Sequence, residues 1–147
     1  VVFIGEAPGK KEDETGRPFI GASGNFLTEL IESAGLKRSD VFITSIVKYR
    51  PPNNRDPRPE EKAQSWPYLL RQLRVIQPKL VVTLGRHSMS QFVPKGTIGQ
   101  LHGTLIEGGE WPVLPLFHPA AALYGKAMRA TLFQDFAQLK KVLERKY

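Results

Sequence analysis

The chain contains no cysteine. That excludes disulfides, thiolate-held metals and cysteine-ligated iron–sulfur clusters. No apolar run approaches the roughly 18 residues that would read as a membrane-spanning helix, so no membrane association is expected. No signal peptide is expected before the first strand. There are only three histidines, none in a His-x-x-Glu or His-x-x-x-His spacing, so a zinc site is not expected. Neither a GxGxxG nor a Walker motif is present, which leaves a nucleotide cofactor unsupported. No internal repeat or linker divides the 147 residues, so one domain over 1–147 is expected.

What is abundant is positive charge. Lys plus Arg number 21 against 14 Asp plus Glu, a formal charge of +7, which suits an anionic partner. A basic surface without a ligand accounts for the charge equally well. The basic residues are spread along the chain rather than gathered in one tail. The locally basic end, Lys140, Lys141, Arg145 and Lys146, falls on an expected helix as a solvated face.

Four short apolar segments read as buried strands: Val1–Ile4, Val41–Val47, Leu80–Leu84 and Val113–Leu116. Helical spacing marks Asn25–Ala34, stopped by Gly35. A second helix starts at Pro59-Glu60-Glu61, with proline in the first turn and acids at the positive dipole end, and runs to about Ile76. Arg86–Phe92 and the amphipathic Thr131–Lys146 complete the helices. Lys10–Ala22 and the proline-rich 51–59 are expected loops. Leu101–Glu107 is expected to be a strand that meets Val113–Leu116 across Gly108-Gly109. Strands alternating with helices imply parallel pairing by right-handed crossovers.

In such a sheet, ligands bind beyond the carboxyl ends of the strands. Each strand here ends in a turn-forming or polar cluster, and separate strands are thereby expected to deliver Glu6, Asn54 and His118 to one rim. Gly5-Glu6-Ala7-Pro8-Gly9 allows close backbone approach to a ligand; a plain strand-exit turn explains it as well. Phe19, between Gly16 and Gly21, is either packing for a loop or a stacking platform for a base. His118 ends the last strand, where an imidazole is suited to hydrogen-bond a developing anion. The small Ala120-Ala121-Ala122 run after it could lie close to a phosphate backbone, flanked by Lys126 and Arg129. His87 and His102 have no comparable setting and are expected to be structural.

Taken in order, Gly5-Glu6-Ala7-Pro8-Gly9 with Glu12-Asp13, Gly16–Gly21, Ile43–Pro52 with Asn54–Pro57, Leu84-Gly85-Arg86 and His118-Pro119-Ala120 resemble the uracil-DNA glycosylase superfamily, and most closely its family-4 type. The resemblance spans nearly the whole chain. It implies a three-layer α/β/α sandwich around a four-stranded, mostly parallel sheet. It also implies metal-independent hydrolysis of the N-glycosidic bond of uracil flipped out of DNA, leaving an abasic site, with no cofactor. Carried over, Phe19 stacks on uracil, with Gly5, Ala7 and Ser45 also lining the base. His118 donates to uracil O2, and Glu6 and Asn54 place the attacking water and the sugar. Ala120, Leu123, Lys126 and Arg129 form the DNA-binding set, with Ala120 to Leu123 in the loop that enters the duplex. The implied partner is uracil-containing DNA, single- or double-stranded, met by a monomer in a prokaryotic cytoplasm.

The pattern is departed from at several positions. The family-4 type usually holds an iron–sulfur cluster on cysteines; Tyr49 and Ser65 stand at two of those positions, and packing of Tyr49, Trp66 and Tyr68 is expected to replace the cluster. Ser45 stands where the family has an asparagine that reads the uracil edge. An amide donates and accepts together, whereas serine has one hydroxyl, so base preference is expected to be weaker or broader, extending to other deaminated bases. Ala7 offers no aspartate to activate water, and Ala120 replaces a phosphate-contacting serine. Two further readings compete. One is a glycosylase-fold DNA-binding protein with lost or broadened base specificity. The other is an unrelated α/β domain for an acidic metabolite, which leaves the ordered motifs unexplained.

Overall fold

The computed structural model describes residues 1–6, 22–46 and 59–146. Its sheet has four parallel strands: β1 (Val2–Gly5), β2 (Phe42–Ser45), β3 (Val81–Leu84) and β4 (Val113–Leu116), ordered β2-β1-β3-β4. Between and after them lie α1 (Ala22–Ser33), α2 (Pro59–Ile76), α3 (Arg86–Phe92), the single turn α4 (Ile98–Leu101) and α5 (Lys126–Lys146). The apolar runs explain the sheet: every residue of β1, β3 and β4 is buried, as strands covered on both faces require.

Strand alternation sorts the core into two layers. Phe3, Val82, Leu84, Leu114 and Leu116 face α1 and α5, meeting Leu27, Leu30, Leu132 and Phe136. Phe3 stacks on Phe136 at 6.1 Å between ring centroids. Val2, Ile4, Val81 and Val113 face the other way, towards Leu69 and Leu73 of α2, with Trp66 and Phe92 beside them. Burying side chains of this size stabilises by about 1.5–3 kcal/mol each. The three-layer α/β/α sandwich is therefore present, and its sheet is entirely parallel.

Local chemistry sets the element ends. Directly after α2, Gln77 takes φ 52° and donates its N–H to the Leu73 carbonyl at 2.7 Å, and Pro78 prevents continuation. The same helix carries Pro67 in its interior. Some expectations need correction. Leu101–Glu107 is not a strand: its start belongs to α4, capped by the Thr97 hydroxyl accepting from Gln100 N–H, and Gly103 turns the chain at φ +76°. Only Ile106 pairs, in an isolated antiparallel bridge with Val113. The last helix begins at Lys126 rather than Thr131, because its polar first turns carry no apolar period to announce them. Ala22, expected at the end of a loop, instead opens α1, and Pro59 opens α2; the loops expected over residues 10–21 and 51–58, and with them Ala7, Phe19, Tyr49 and Asn54, lie outside the described residues.

Candidate active site

The carboxyl ends of the strands form one rim. Ser45 of β2 is the Cα partner of Gly5, and Ile46 N–H donates to the Gly5 carbonyl at 3.0 Å. Glu6 follows directly. On the next strand, Gly85 donates its N–H to the Leu116 carbonyl at 2.9 Å, which sets it level with the end of β4 and so beside His118. Gly85 has φ +93°, a conformation that favours glycine. A Cβ built on it would stand 3.4 Å from Glu6 Oε1 and 3.4 Å from His118 Cβ. The carboxylate and the imidazole thus flank the same small volume, kept open by a residue with no side chain. Ser88, fully buried in α3, donates its hydroxyl to the Ile4 carbonyl at 2.6 Å, which ties the start of α3 to the strand that carries Glu6.

His118 also caps the 3₁₀ segment Pro119–Tyr124: its Nδ1 accepts the Ala120 N–H at 3.1 Å. An acceptor at Nδ1 leaves the proton of the neutral ring on Nε2. Burial holds the ring's pKa down to about 4, from an ordinary 6.5. At neutral pH His118 is therefore a neutral imidazole with one N–H donor of defined tautomer. Behind it, Phe117 lies 4.5 Å from the His102 ring, and His102 Nδ1 bonds Asp135 Oδ2 at 2.8 Å. Burial pushes the Asp135 carboxyl up, partly offset by His102. His87 Nδ1 faces Lys62 Nζ at 3.1 Å, joining α3 to α2. Both histidines expected to be structural hold such contacts.

Comparison with known proteins shows the family. The family model described as the uracil DNA glycosylase superfamily matches residues 1–143. The chain belongs to the uracil-DNA glycosylase superfamily. It is 47% identical to the type-4 uracil-DNA glycosylase of Saccharolobus solfataricus, over 99% of this chain and 72% of that protein. It is 45% identical to the type-4 enzyme of Sulfurisphaera tokodaii, over 97% of this chain and 69% of that one. For the type-4 enzyme of Archaeoglobus fulgidus the figures are 43%, 99% and 78%.

Family-4 resemblance raises the question of an iron–sulfur cluster, and the donor set does not fit one. No thiolate exists anywhere in the sequence, and iron–sulfur clusters of this kind are held by cysteine thiolates. Ser65 is buried within α2. Next to it, Trp66 packs edge-to-face on Phe92 at 5.2 Å, so this superfamily member joins α2 to α3 by aromatic packing. Tyr68 does not share in that packing, contrary to expectation. It is 59% exposed, with the Arg71 guanidinium 5.4 Å from its ring centre. A cavity of about 190 Å³ lies on this flank, lined by Trp66, Phe92, Ile106 and Trp111 among others. It shares no residue with the rim.

On the other side of His118, Ala120 lies in the 3₁₀ segment, as does the backbone of Leu123, and Lys126 and Arg129 occupy the first turns of α5. Arg129 has partners within the fold: Nη2 bonds Glu29 Oε2 at 3.3 Å, and the guanidinium sits 4.4 Å from the Phe26 ring centre. The rim therefore brings Gly5, Glu6, Ser45 and His118 to one end of the sheet. Gly85 entered the sequence reading only within the stretch Leu84-Gly85-Arg86, with no role of its own; its local signal was a glycine directly after a buried strand, the same signal that marked Gly5.

Proposed function

We propose that the chain excises uracil from DNA by hydrolysing its N-glycosidic bond, acting as a monofunctional, metal-independent repair enzyme. The observation that carries this reading is a neutral His118, its proton on Nε2, set against Glu6 across Gly85. A stacked base is out of reach, so the target nucleotide must leave the duplex, at a cost of a few kcal/mol. The +7 charge helps to offset that cost by holding phosphates.

Once the base is everted, the bond between C1′ and the base nitrogen breaks, and its electron pair leaves with the uracil. Negative charge collects on O2, where the His118 Nε2–H donates. A neutral donor of low basicity keeps its own proton while it stabilises the anion. Positive charge develops on the sugar, where the Glu6 carboxylate attracts it and, with Asn54, places the water that adds to C1′. Phe19 stacks on the ring, Gly5 and Ala7 let it approach the backbone, and Ser45 meets its edge. Ala120 and Leu123 enter the gap left in the duplex, with Lys126 and Arg129 at the phosphates. The enzyme works as one domain over 1–147, as a monomer on single- or double-stranded DNA, in a prokaryotic cytoplasm.

The test is incubation with a uracil-containing oligonucleotide followed by alkali. Strand scission at the uracil supports excision. Salt-sensitive binding without scission favours the competing reading of a DNA-binding protein that no longer cuts.

A further inference from the structure

Asp135 is a carboxylate set in an apolar face. It is 8% exposed, on the side of α5 that also buries Leu132, Phe136 and Leu139. A charge in such a place is costly unless it is paired. Its partner is His102, at the end of α4, with His102 Nδ1 and Asp135 Oδ2 2.8 Å apart. A carboxylate only accepts, so the imidazole carries a proton on Nδ1 and donates it. The backbone makes room for this pair. A Cβ built on Gly103 would stand 2.7 Å from Asp135 Oδ1, and Gly103 turns at φ +76°, so both space and conformation call for glycine there.

Stability alone does not account for the pair. Exchanging buried charged groups and their partners for apolar side chains is often neutral or stabilising. What a hydrogen-bonded pair adds is direction. Here it fixes the plane of the His102 ring, and the Phe117 ring lies against it, with centroids 4.5 Å apart and planes tilted by 36°. Phe117 directly precedes His118. The His102 turn is also fastened along β4, by Gly103 N–H donating to the Pro115 carbonyl at 2.8 Å and by the bridge from Ile106 to Val113. The chain leaves β4 at Leu116, passes His118 and the 3₁₀ segment, and enters α5 at Lys126. The pair therefore ties the approach to His118 to the helix that follows it. The bond from Ala120 N–H to His118 Nδ1 orients the ring within its own turn. The pair orients that turn against the sheet.

We infer that Asp135 and His102 are positioning residues for base release: together they hold the Phe117 ring, and through it they aim the His118 Nε2–H at the departing base. The inference rests on the uracil-excision reading. Groups that act on a reacting atom must be held within about 0.5 Å of the productive geometry, and a misplacement of about 1 Å can cost about 10²-fold in rate. A ring fixed by a buried hydrogen bond meets that tolerance better than one held by apolar contact alone.

The experiment compares the wild type with Asp135→Leu, Asp135→Asn and His102→Asn. The readouts are single-turnover excision from a uracil-containing oligonucleotide at saturating enzyme, oligonucleotide affinity, thermal melting and the nitrogen NMR signals of the His118 imidazole. Leucine has the branched shape of the carboxylate, and the imidazole it leaves behind is partly exposed, so Asp135→Leu should melt near the wild type. Its excision rate should fall about tenfold, the worth of one hydrogen bond, with affinity unchanged and the His118 signals shifted. Asp135→Asn keeps an acceptor for His102 Nδ1–H and should restore the rate to within about threefold of the wild type. His102→Asn keeps a donor for Asp135 but removes the ring from Phe117, so its rate should fall as that of Asp135→Leu does. It decides the matter should Asp135→Leu fail to fold. Wild-type rates per folded molecule in Asp135→Leu and His102→Asn, with the His118 signals unmoved, would make the pair a structural brace and overturn the inference. If the wild type excises nothing, the uracil reading fails, and the His118 signals decide by themselves whether the pair sets that ring. Movement in Asp135→Leu with return in Asp135→Asn supports it, and no movement overturns it.

Discussion

Two regions of the molecule have met different constraints. At the rim, the acid Glu6, the imidazole His118 and the small residue Gly85 stand together within a few ångströms. On the flank where α2 meets α3, Ser65 and Trp66 occupy the stretch where the family resemblance places thiolates, and Trp66 packs on Phe92 instead. A charge that develops in a transition state needs a particular donor at a particular atom. A joint between two helices needs only volume and apolar area, which many side chains supply. The flank can therefore exchange a metal cluster for aromatic rings, while the rim has no equivalent substitute.

Substitutions on either side sharpen that contrast. The largest effect is expected from His118→Ala, which should slow uracil excision about 10²–10³-fold, the usual cost of one lost oxyanion donor, with salt-dependent DNA binding retained. Equal loss of both would make His118 a structural residue. Trp66→Ala should act oppositely. It should lower stability by about 2–3 kcal/mol, less than the roughly 3–5 kcal/mol usual for a fully buried large aromatic because Trp66 is only partly buried, and leave the rate per folded molecule unchanged. Chemical denaturation and single-turnover assays separate the two.

Gly85→Ala sits between these regions in character. Its φ of +93° strains any other residue by about 1–2 kcal/mol. The added methyl would press on Glu6 and His118 at 3.4 Å, so excision should fall more than stability alone accounts for. A smaller effect follows from acid. Below pH 6.5 the unfolded chain protonates His118 while the folded chain does not, so this residue's contribution to stability is present above 6.5 and is lost as pH falls towards 4. Imidazole NMR from pH 8 to 5 should show His118 neutral throughout, with its proton on Nε2. The least effect is expected from Tyr68→Ser, within about 0.5 kcal/mol for an exposed side chain.

The sequence made the sheet legible because continuous apolar runs ended by glycine or histidine have few other readings. It made Glu6 and His118 legible because each stands two residues past the end of such a run. It misled at Leu101–Glu107, where the Gly108-Gly109 turn before Val113–Leu116 suggested a second strand but one bridge at Ile106 is all that forms. It hid the start of α5, whose first turns are polar and gain their helical state from the body of the helix. Gly85 was hidden for a different reason: its role lies in what it leaves empty, and only coordinates show which side chains border that space. Tyr68 was misjudged because an aromatic residue beside Trp66 looked like core, whereas Trp66 turns inward and Tyr68 faces solvent.

The most direct trial of a shared slot at the rim is single-turnover release of uracil from one oligonucleotide by the wild type and by His118→Ala, both at saturating enzyme. A drop of about 10²–10³-fold in rate, with oligonucleotide affinity nearly unchanged, is the expected result. Equal rates from the two proteins would contradict it.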